Sequence, residues 1–179
     1  KISYLFPRAH AVAYVMMAFR IAWFKVYHPL AFYAAYFSIR AKAFDLRIMT
    51  GDLNTQLKEF NRIKALDRGA SPKEKDLMSA LEVSMEMYQR GYRFINVDIQ
   101  HSGARRFSIK DGALLPPFLA IDSLGETVAD AIVEERETKP FTSLKDLQRR
   151  CKVSATIIET MKELKCCGDL PEDEQMSLF

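Results

Sequence analysis

The sequence predicts a mainly α-helical fold with one small β-hairpin, two consecutive helical hairpins and a flexible C-terminal tail. Apolar residues recur at helical spacing through most of the chain. Asp111-Gly112 is the strongest short signal for a β-hairpin. Beyond Pro117, two pairs of apolar helices are each joined by a tight turn. The content of 49% apolar and 27% charged residues is typical of a globular protein.

The N-terminal part of the chain is predicted to be helical. Residues 8–28 contain the most hydrophobic stretch and are expected to form a buried helix that ends at His28-Pro29. Its uninterrupted apolar run is shorter than the roughly 20 residues that cross a membrane, so we expect a core helix and no membrane partner. Residues 30–41 continue as a second helix. The chain begins at Lys1 rather than Met, which suggests a piece of a longer protein.

Two further helices and a group of strands are expected next. Residues 53–66 form an amphipathic pattern. Ser71 and Glu74 have the spacing of a capping box at the start of the following helix, which Gly91 ends. Residues 94–99 are typical of a short strand, and the segments around Asp111-Gly112 predict the hairpin. Residues 169–179 hold five acidic or proline residues and little apolar surface, so we expect them to be flexible.

Charge and cysteine content restrict the function only weakly. Residues 1–50 carry seven Lys or Arg against one acidic residue, so this basic third could face a polyanion, although a solvated helix face would look the same. The three cysteines are Cys151, Cys166 and Cys167. An odd number with two adjacent argues against a disulfide framework, and their spacing argues against a metal site. We expect apolar packing residues in a protein of a reducing cellular interior.

The most informative segment is residues 118–132, called the first hairpin below. A short helix, a turn containing Gly125 and a second helix resemble a helix-hairpin-helix DNA-binding element. We expect Gly125 to adopt a positive φ and to leave backbone amides open to a phosphate at a helix N-terminus. Such contacts hold a duplex without reading its sequence. Ser123 stands where the family pattern has a first glycine, and Glu126 places a negative charge beside the phosphate. An ordinary helix-turn-helix packing corner fits this segment about as well.

A second hairpin follows at residues 143–166. Lys152-Val153 forms its turn, Ser154 is a reasonable N-cap for its second helix, and Val153, Ile157, Met161 and Leu164 are expected to form the buried stripe. Because this turn lacks glycine, we expect it to pack against the first hairpin more than it grips DNA. The candidate DNA-binding residues of the two turns are Ser123, Leu124, Gly125, Glu126, Thr127, Lys152 and Ser154.

The last five residues form a candidate partner-binding motif. Gln175, Met176, Ser177, Leu178 and Phe179 resemble the bacterial pentapeptide that binds the sliding clamp. An apolar pocket on a partner could bury the Leu-Phe pair, which is worth roughly 1.5–3 kcal/mol for each side chain. The alternative is that two apolar residues end the chain by chance.

Taken together, these segments resemble the C-terminal region of the PolC-type DNA polymerase III alpha chain, a bacterial family C replicase. The residues that carry the resemblance are Tyr4 to Tyr14, Phe24 to Pro29, Asp98-Ile99, Leu115 to Phe118, Leu124-Gly125 and the final pentapeptide. They span nearly the whole chain in the family's order.

The resemblance implies three parts of the chain with different roles. Residues 1–112 would be the C-terminal part of the helical fingers of a DNA-directed DNA polymerase, 113–168 a duplex-binding module, and 169–179 a clamp-binding tail. Tyr4 and His10 would face the incoming dNTP, with Arg8 on its phosphates. The rest of the fingers, the palm and the thumb would be further partners, and the chain would act in the bacterial cytoplasm at the replication fork.

The resemblance also implies that catalysis lies elsewhere in the full protein. Polymerisation needs carboxylates that hold divalent metals, and no closely spaced acidic pair in a strand context occurs here. Magnesium would therefore be held by upstream residues, with no catalytic residue, metal ligand or bound cofactor in this segment.

Two other classes of protein remain open from the sequence. One is a standalone helix-hairpin-helix factor of DNA repair or uptake, and the other is a clamp-associated adaptor with no role at the nucleotide. An upstream Asp-x-Asp pair on a strand would favour the polymerase.

Overall fold

The computed structural model describes residues 7–173, and these residues confirm the mainly α-helical prediction. Within this range there are eight α-helices, two strands and two short 3-10 turns. The helices are α1 (Arg8–Tyr27), α2 (Pro29–Ile39), α3 (Leu46–Met49), α4 (Leu53–Ala65), α5 (Pro72–Gln89), α6 (Glu126–Thr138), α7 (Leu144–Cys151) and α8 (Ala155–Glu163). The strands are β1 (Ser108–Lys110) and β2 (Ala113–Leu115), and the 3-10 turns are Asp67–Gly69 and Phe118–Ala120.

Helix α1 forms where the sequence predicts it, but the expectation that it is buried is wrong. None of its residues is buried, and large apolar side chains such as Phe19, at 72% exposed, and Trp23, at 49%, face outward. Hydrophobicity predicts that the apolar side chains of a helix are covered, and residues 7–173 do not cover those of α1. The helix is also long and apolar enough to cross a membrane by length and composition, and a single helix of this kind near an N-terminus is weak evidence for a membrane span.

Helices α2, α4 and α5 form the first of two hydrophobic cores, which we call the helical lobe. The predicted capping box is confirmed: Ser71 Oγ accepts from the Glu74 amide at 3.3 Å, and Glu74 Oε2 accepts from the Ser71 amide at 2.9 Å. The fully or nearly buried core side chains of this lobe include Tyr33, Phe37, Met49, Ile63, Leu81, Met87, Phe94 and Leu114.

The β-hairpin is confirmed, whereas the expected strand at residues 94–99 is absent from the described structure. Strands β1 and β2 pair antiparallel, and Asp111 and Gly112 take φ of 51° and 74°, as a tight two-residue turn requires. Of residues 94–99, only Phe94 makes a β-bridge, to Leu114. The Ile99 amide instead donates to the Cys166 carbonyl at 3.0 Å, and the Asn96 side chain donates to the Leu164 carbonyl. The segment thus bonds to β2 only at its start, where the Ile95 amide donates to the Leu114 carbonyl at 2.9 Å, and further along it bonds to the C-terminal turn.

The second core joins the two helical hairpins. Its buried side chains include Phe118, Ile121, Leu124, Ala129, Ile132, Leu147, Val153, Ile158 and Met161. All three cysteines are free and buried in it, which confirms their prediction as packing residues. Burial raises the pKa of Cys151 to about 11 and that of Cys166 to about 12. The domain boundary expected after Gly112 falls in the turn between β1 and β2, and the division into domains stays a prediction.

The start of the tail makes contacts with the second hairpin that its composition does not predict, and the expected flexibility of residues 169–179 stays a prediction. The carbonyls of Pro171 and Glu172 accept from the amides of Leu144 and Lys145, at 2.8 and 3.2 Å, in the first turn of α7. The Glu172 carboxylate pairs with Lys162 at 2.7 Å. Residues 171 and 172 therefore lie beside α7 and α8, because the unsatisfied amides at the start of α7 offer them partners that the composition of the tail does not reveal.

Candidate nucleic-acid interface

The turn of the first hairpin differs in one respect from the sequence expectation. Ser123, rather than Gly125, is the left-handed residue, with φ of 64°. Gly125 has φ of −76° and ψ of 157° and is the N-cap of α6. The first helix of the hairpin is only the 3-10 turn Phe118–Ala120. Ser123 therefore occupies the position where the family pattern has its first glycine, and it adopts the left-handed conformation there.

Three consecutive backbone amides at this turn are free to bind a ligand. The N–H groups of Gly125, Glu126 and Thr127 donate to no acceptor within residues 7–173, and all three residues are exposed. A Cβ built on Gly125 would meet nothing within 4 Å, so the space that these amides face is open. Free amides at the positive end of a 13-residue helix have the hydrogen-bond donors and the partial positive charge that suit an anion such as a phosphate.

Leu124 holds the turn in place. Its side chain is 4% exposed and packs in the second core between the 3-10 turn and α6. Its amide donates to the Ile121 carbonyl at 3.2 Å. The apolar residue at the centre of the turn therefore anchors the loop, while Ser123 and Gly125 on either side remain exposed.

Two acidic residues in the first turns of α6 share one arginine that the sequence analysis did not identify, so their charge is partly neutralised. Arg105 Nη1 donates to Glu126 Oε2 at 2.6 Å, and Arg105 Nε donates to Asp130 Oδ1 at 3.1 Å. A second bond joins Arg105 Nη2 to Asp130 Oδ2. The hydrogen bond from Arg105 lowers the pKa of Asp130, so the carboxylate stays ionised. No local pattern could have indicated this contact, because 21 to 25 residues separate the partners.

The second hairpin repeats the geometry of the first without a glycine. Lys152 has φ of 53°, Val153 is buried, and Ser154 caps α8 by accepting from the Ile157 amide at 3.3 Å. Both turns thus consist of a left-handed residue, a buried apolar residue and an N-cap. The buried stripe of α8 is Val153, Ile158 and Met161, whereas the expected members Ile157 and Leu164 are only half-buried.

A network of charges fixes the two hairpins to each other. Arg150 of α7 pairs with Glu135 of α6 at 3.0 Å and with Asp146 at 3.2 Å, and its guanidinium lies 4.7 Å from the centre of the Phe141 ring. Asp146 is 4% exposed as a side chain, and Arg149 also pairs with it, at 2.8 Å. The turns of both hairpins are therefore carried on one rigid pair of helices.

The other candidate residues lie in the first turn of α1 or outside the described residues. Arg8 and His10 lie exposed in the first turn of α1, and the His10 ring packs edge-on against Tyr14 with centroids 4.3 Å apart. Tyr4 and the pentapeptide Gln175 to Phe179 lie outside the described residues. Among residues 7–173, no three His, Cys, Asp or Glu side chains are close enough together to hold a metal ion.

These features define a helix-hairpin-helix module, and comparison with known proteins agrees. A family model described as a helix-hairpin-helix motif matches residues 91–176. The whole chain is 50% identical to a protein of Caldanaerobacter subterraneus and 46% identical to one of Streptococcus pyogenes, both named "DNA polymerase III PolC-type". By sequence, the chain is homologous over its full length to a segment of the PolC-type DNA polymerase III family. It spans only 13% and 12% of the length of these two relatives.

Proposed function

We propose that this chain is the C-terminal segment of a replicative DNA-directed DNA polymerase and that it binds the product duplex without sequence preference. The observation that carries the proposal is the 50% identity of the entire chain to a PolC-type DNA polymerase III. The helix-hairpin-helix match over residues 91–176 supports a role in DNA binding. The metal ions that polymerisation needs would be held by residues outside this segment.

The grip on the duplex would come from backbone groups of the first hairpin. A phosphate bound beside Gly125 can accept from up to three free amides, and the dipole of α6 favours its charge. Contacts to phosphate alone carry no sequence information. The exposed ammonium of Lys152 in the similar turn of the second hairpin would contact a second phosphate.

The nucleotide end of the segment would lie at the start of α1. Tyr4, Arg8 and His10 are proposed to contact the incoming dNTP, with Arg8 on its phosphates. Helix α1 supports a position inside a larger assembly because its apolar side chains are exposed along the whole helix. We propose that the rest of the polymerase (fingers, palm and thumb) covers this surface.

The last five residues are proposed to tether the polymerase to the sliding clamp. Because Pro171 and Glu172 are held on α7, the linker to Gln175 is only a few residues long. A linker of this length reaches at most about 3.6 Å per residue. The clamp would therefore be held close to the second hairpin, and the two weak contacts would reinforce each other through effective concentration.

Duplex binding is tested by fluorescence anisotropy of labelled duplexes at a series of salt concentrations. We expect affinity to be independent of sequence and to fall linearly on a log–log plot against salt, with a slope of about 0.9 for each phosphate contacted. A marked base preference, or no binding at low salt, would refute the proposal.

The tether is tested by deleting residues 175–179. The deletion should abolish binding to a sliding clamp in surface plasmon resonance and leave duplex affinity unchanged. Replacing Gln175, Leu178 and Phe179 by alanine serves as a second variant of full length. Clamp binding that persists in both variants would exclude the pentapeptide as the tether.

A further inference from the structure

We infer that Arg105 is a positioning residue for duplex binding: it holds the carboxylates of Glu126 and Asp130 away from the phosphate that the first hairpin binds. This inference rests on the proposed duplex-binding function and deepens it. Glu126 is the first residue of α6 and directly follows Gly125, so its own backbone amide is one of the three free amides. A negative charge at this position would repel a phosphate.

The geometry of the contact explains how the repulsion is reduced. One guanidinium bonds to both carboxylates: through Nη1 to Glu126 at 2.6 Å, and through Nε, at 3.1 Å, and Nη2 to Asp130. This fork matches two acceptors one helical turn apart, which a lysine ammonium cannot do with the same geometry. The contact also ties the loop before β1 to the start of α6, and it holds the side chains of Glu126 and Asp130 on the same guanidinium.

The carboxylates around the turn of the first hairpin explain why Arg105 would affect duplex binding. Without Arg105, the start of α6 would present the carboxylates of Asp122, Glu126 and Asp130 beside the anion site. The pKa of Asp130 is lowered, and that of Arg105 is raised by the same contact, so both groups stay charged over the whole physiological pH range. Arg105 thereby makes an acidic helix start compatible with binding an anion.

The chain offers a matched control in the neighbouring residue. Arg106 is exposed, lies in the same loop and takes no part in the ion pairs of Arg105. R105A and R106A remove the same charge from adjacent positions. Only R105A also releases Glu126 and Asp130. A difference between these variants therefore reports the released carboxylates rather than the loss of one positive charge.

The experiment measures anisotropy of a short labelled duplex at low salt for the wild-type chain, R105A, R106A, E126Q and R105A/E126Q. We expect R106A to weaken binding about two- to threefold and R105A about tenfold or more, because one charge is lost and another is exposed near a phosphate. E126Q in the R105A background should recover most of the difference. Thermal melts check that each variant is folded, and a merely structural role of Arg105 would not be rescued by E126Q.

The outcomes separate this inference from the proposed function. If the wild-type chain binds the duplex and R105A behaves like R106A, the inference is overturned while duplex binding stands. If R105A weakens binding as much in the E126Q background as in the wild-type background, Arg105 contacts phosphate directly and positioning is overturned. If no protein of the set binds the duplex, both the proposed function and the inference are overturned.

Discussion

A charge introduced at Gly125 should weaken duplex binding without weakening the fold. Gly125 is the N-cap of α6 with φ of −76°, and a Cβ there meets nothing within 4 Å. Asp and Asn are the best N-cap residues and should stabilise the helix start by a few tenths of a kcal/mol relative to glycine. Gly125→Asp and Gly125→Asn have nearly the same shape and differ in charge and in the two N–H donors of Asn, so the pair tests the effect of a negative charge on the phosphate.

The magnitude follows from the position of the free amides. A phosphate bound by the amides of residues 125–127 would lie about 4–5 Å from the Asp carboxylate, where repulsion is near 1 kcal/mol in bulk water and rises in a partly shielded site. We expect the Asp variant to bind a duplex about five- to thirtyfold more weakly than the Asn variant, which corresponds to 1–2 kcal/mol. The difference should shrink as salt is added, because exposed charges are screened.

The assay is anisotropy of a labelled duplex, with circular dichroism melts as the stability control. Gly69→Asp and Gly69→Asn provide the matched control pair, since Gly69 is exposed, its Cβ would also meet nothing within 4 Å, and it lies in the helical lobe. Equal affinities of the two Gly125 variants would refute the phosphate site. A large loss of stability in both would refute the geometry of the turn.

Three further outcomes are expected. Lys152→Ala should lower duplex affinity about two- to fivefold and reduce the slope of log affinity against log salt concentration by about 0.9. The control variant Lys139→Ala, at the opposite end of α6, should change this slope little. Equal slopes for Lys152→Ala and the wild-type chain would exclude Lys152 as a phosphate contact. Burial alone would raise the pKa of Asp146, but its bonds to Arg149, the Thr142 amide and Arg150 outweigh burial and lower the pKa. The ionised carboxylate therefore stabilises the fold fully above its ordinary pKa of 3.8, and this stabilisation is lost as the pH falls through the lower pKa of the folded state. Asp146→Asn should therefore cost about 2–4 kcal/mol at neutral pH, measured by urea unfolding, and flatten the loss of stability in acid; an unchanged acid profile would contradict the assignment. Cys151, Cys166 and Cys167 should react with a thiol reagent at neutral pH only as the chain unfolds, because burial raises the pKa of each thiol; fast reaction of the folded chain would show that they are accessible.

Features that depend on local chemistry could be predicted from the sequence. The Ser71–Glu74 capping box and the Asp111-Gly112 turn involve residues that are neighbours in the chain, and their geometry follows from their own side chains and backbone preferences. The pairing of the two helical hairpins also follows from the spacing of apolar residues. The two turns that carry the candidate residues lie where the sequence predicts them for the same reason.

Features that depend on distant partners were not predictable. The pattern of the first hairpin indicates that one residue is left-handed, but whether Ser123 or Gly125 takes that role depends on how Leu124 packs. Asn96 and Ile99 bond to the C-terminal turn, which no alternation of apolar residues reveals. The apolar character of α1 predicts a covered surface but not that residues 7–173 leave this surface exposed. Arg105 meets Glu126 only in the folded protein.

The most direct test of the central claim is a titration of the isotopically labelled chain with short duplex DNA, followed by amide NMR. The account predicts that the amide resonances of Gly125, Glu126 and Thr127 shift downfield together and saturate with the duplex, with smaller changes at Lys152 and Ser154. Shifts confined to the helical lobe, with the three amides of the first hairpin unchanged at saturation, would contradict it.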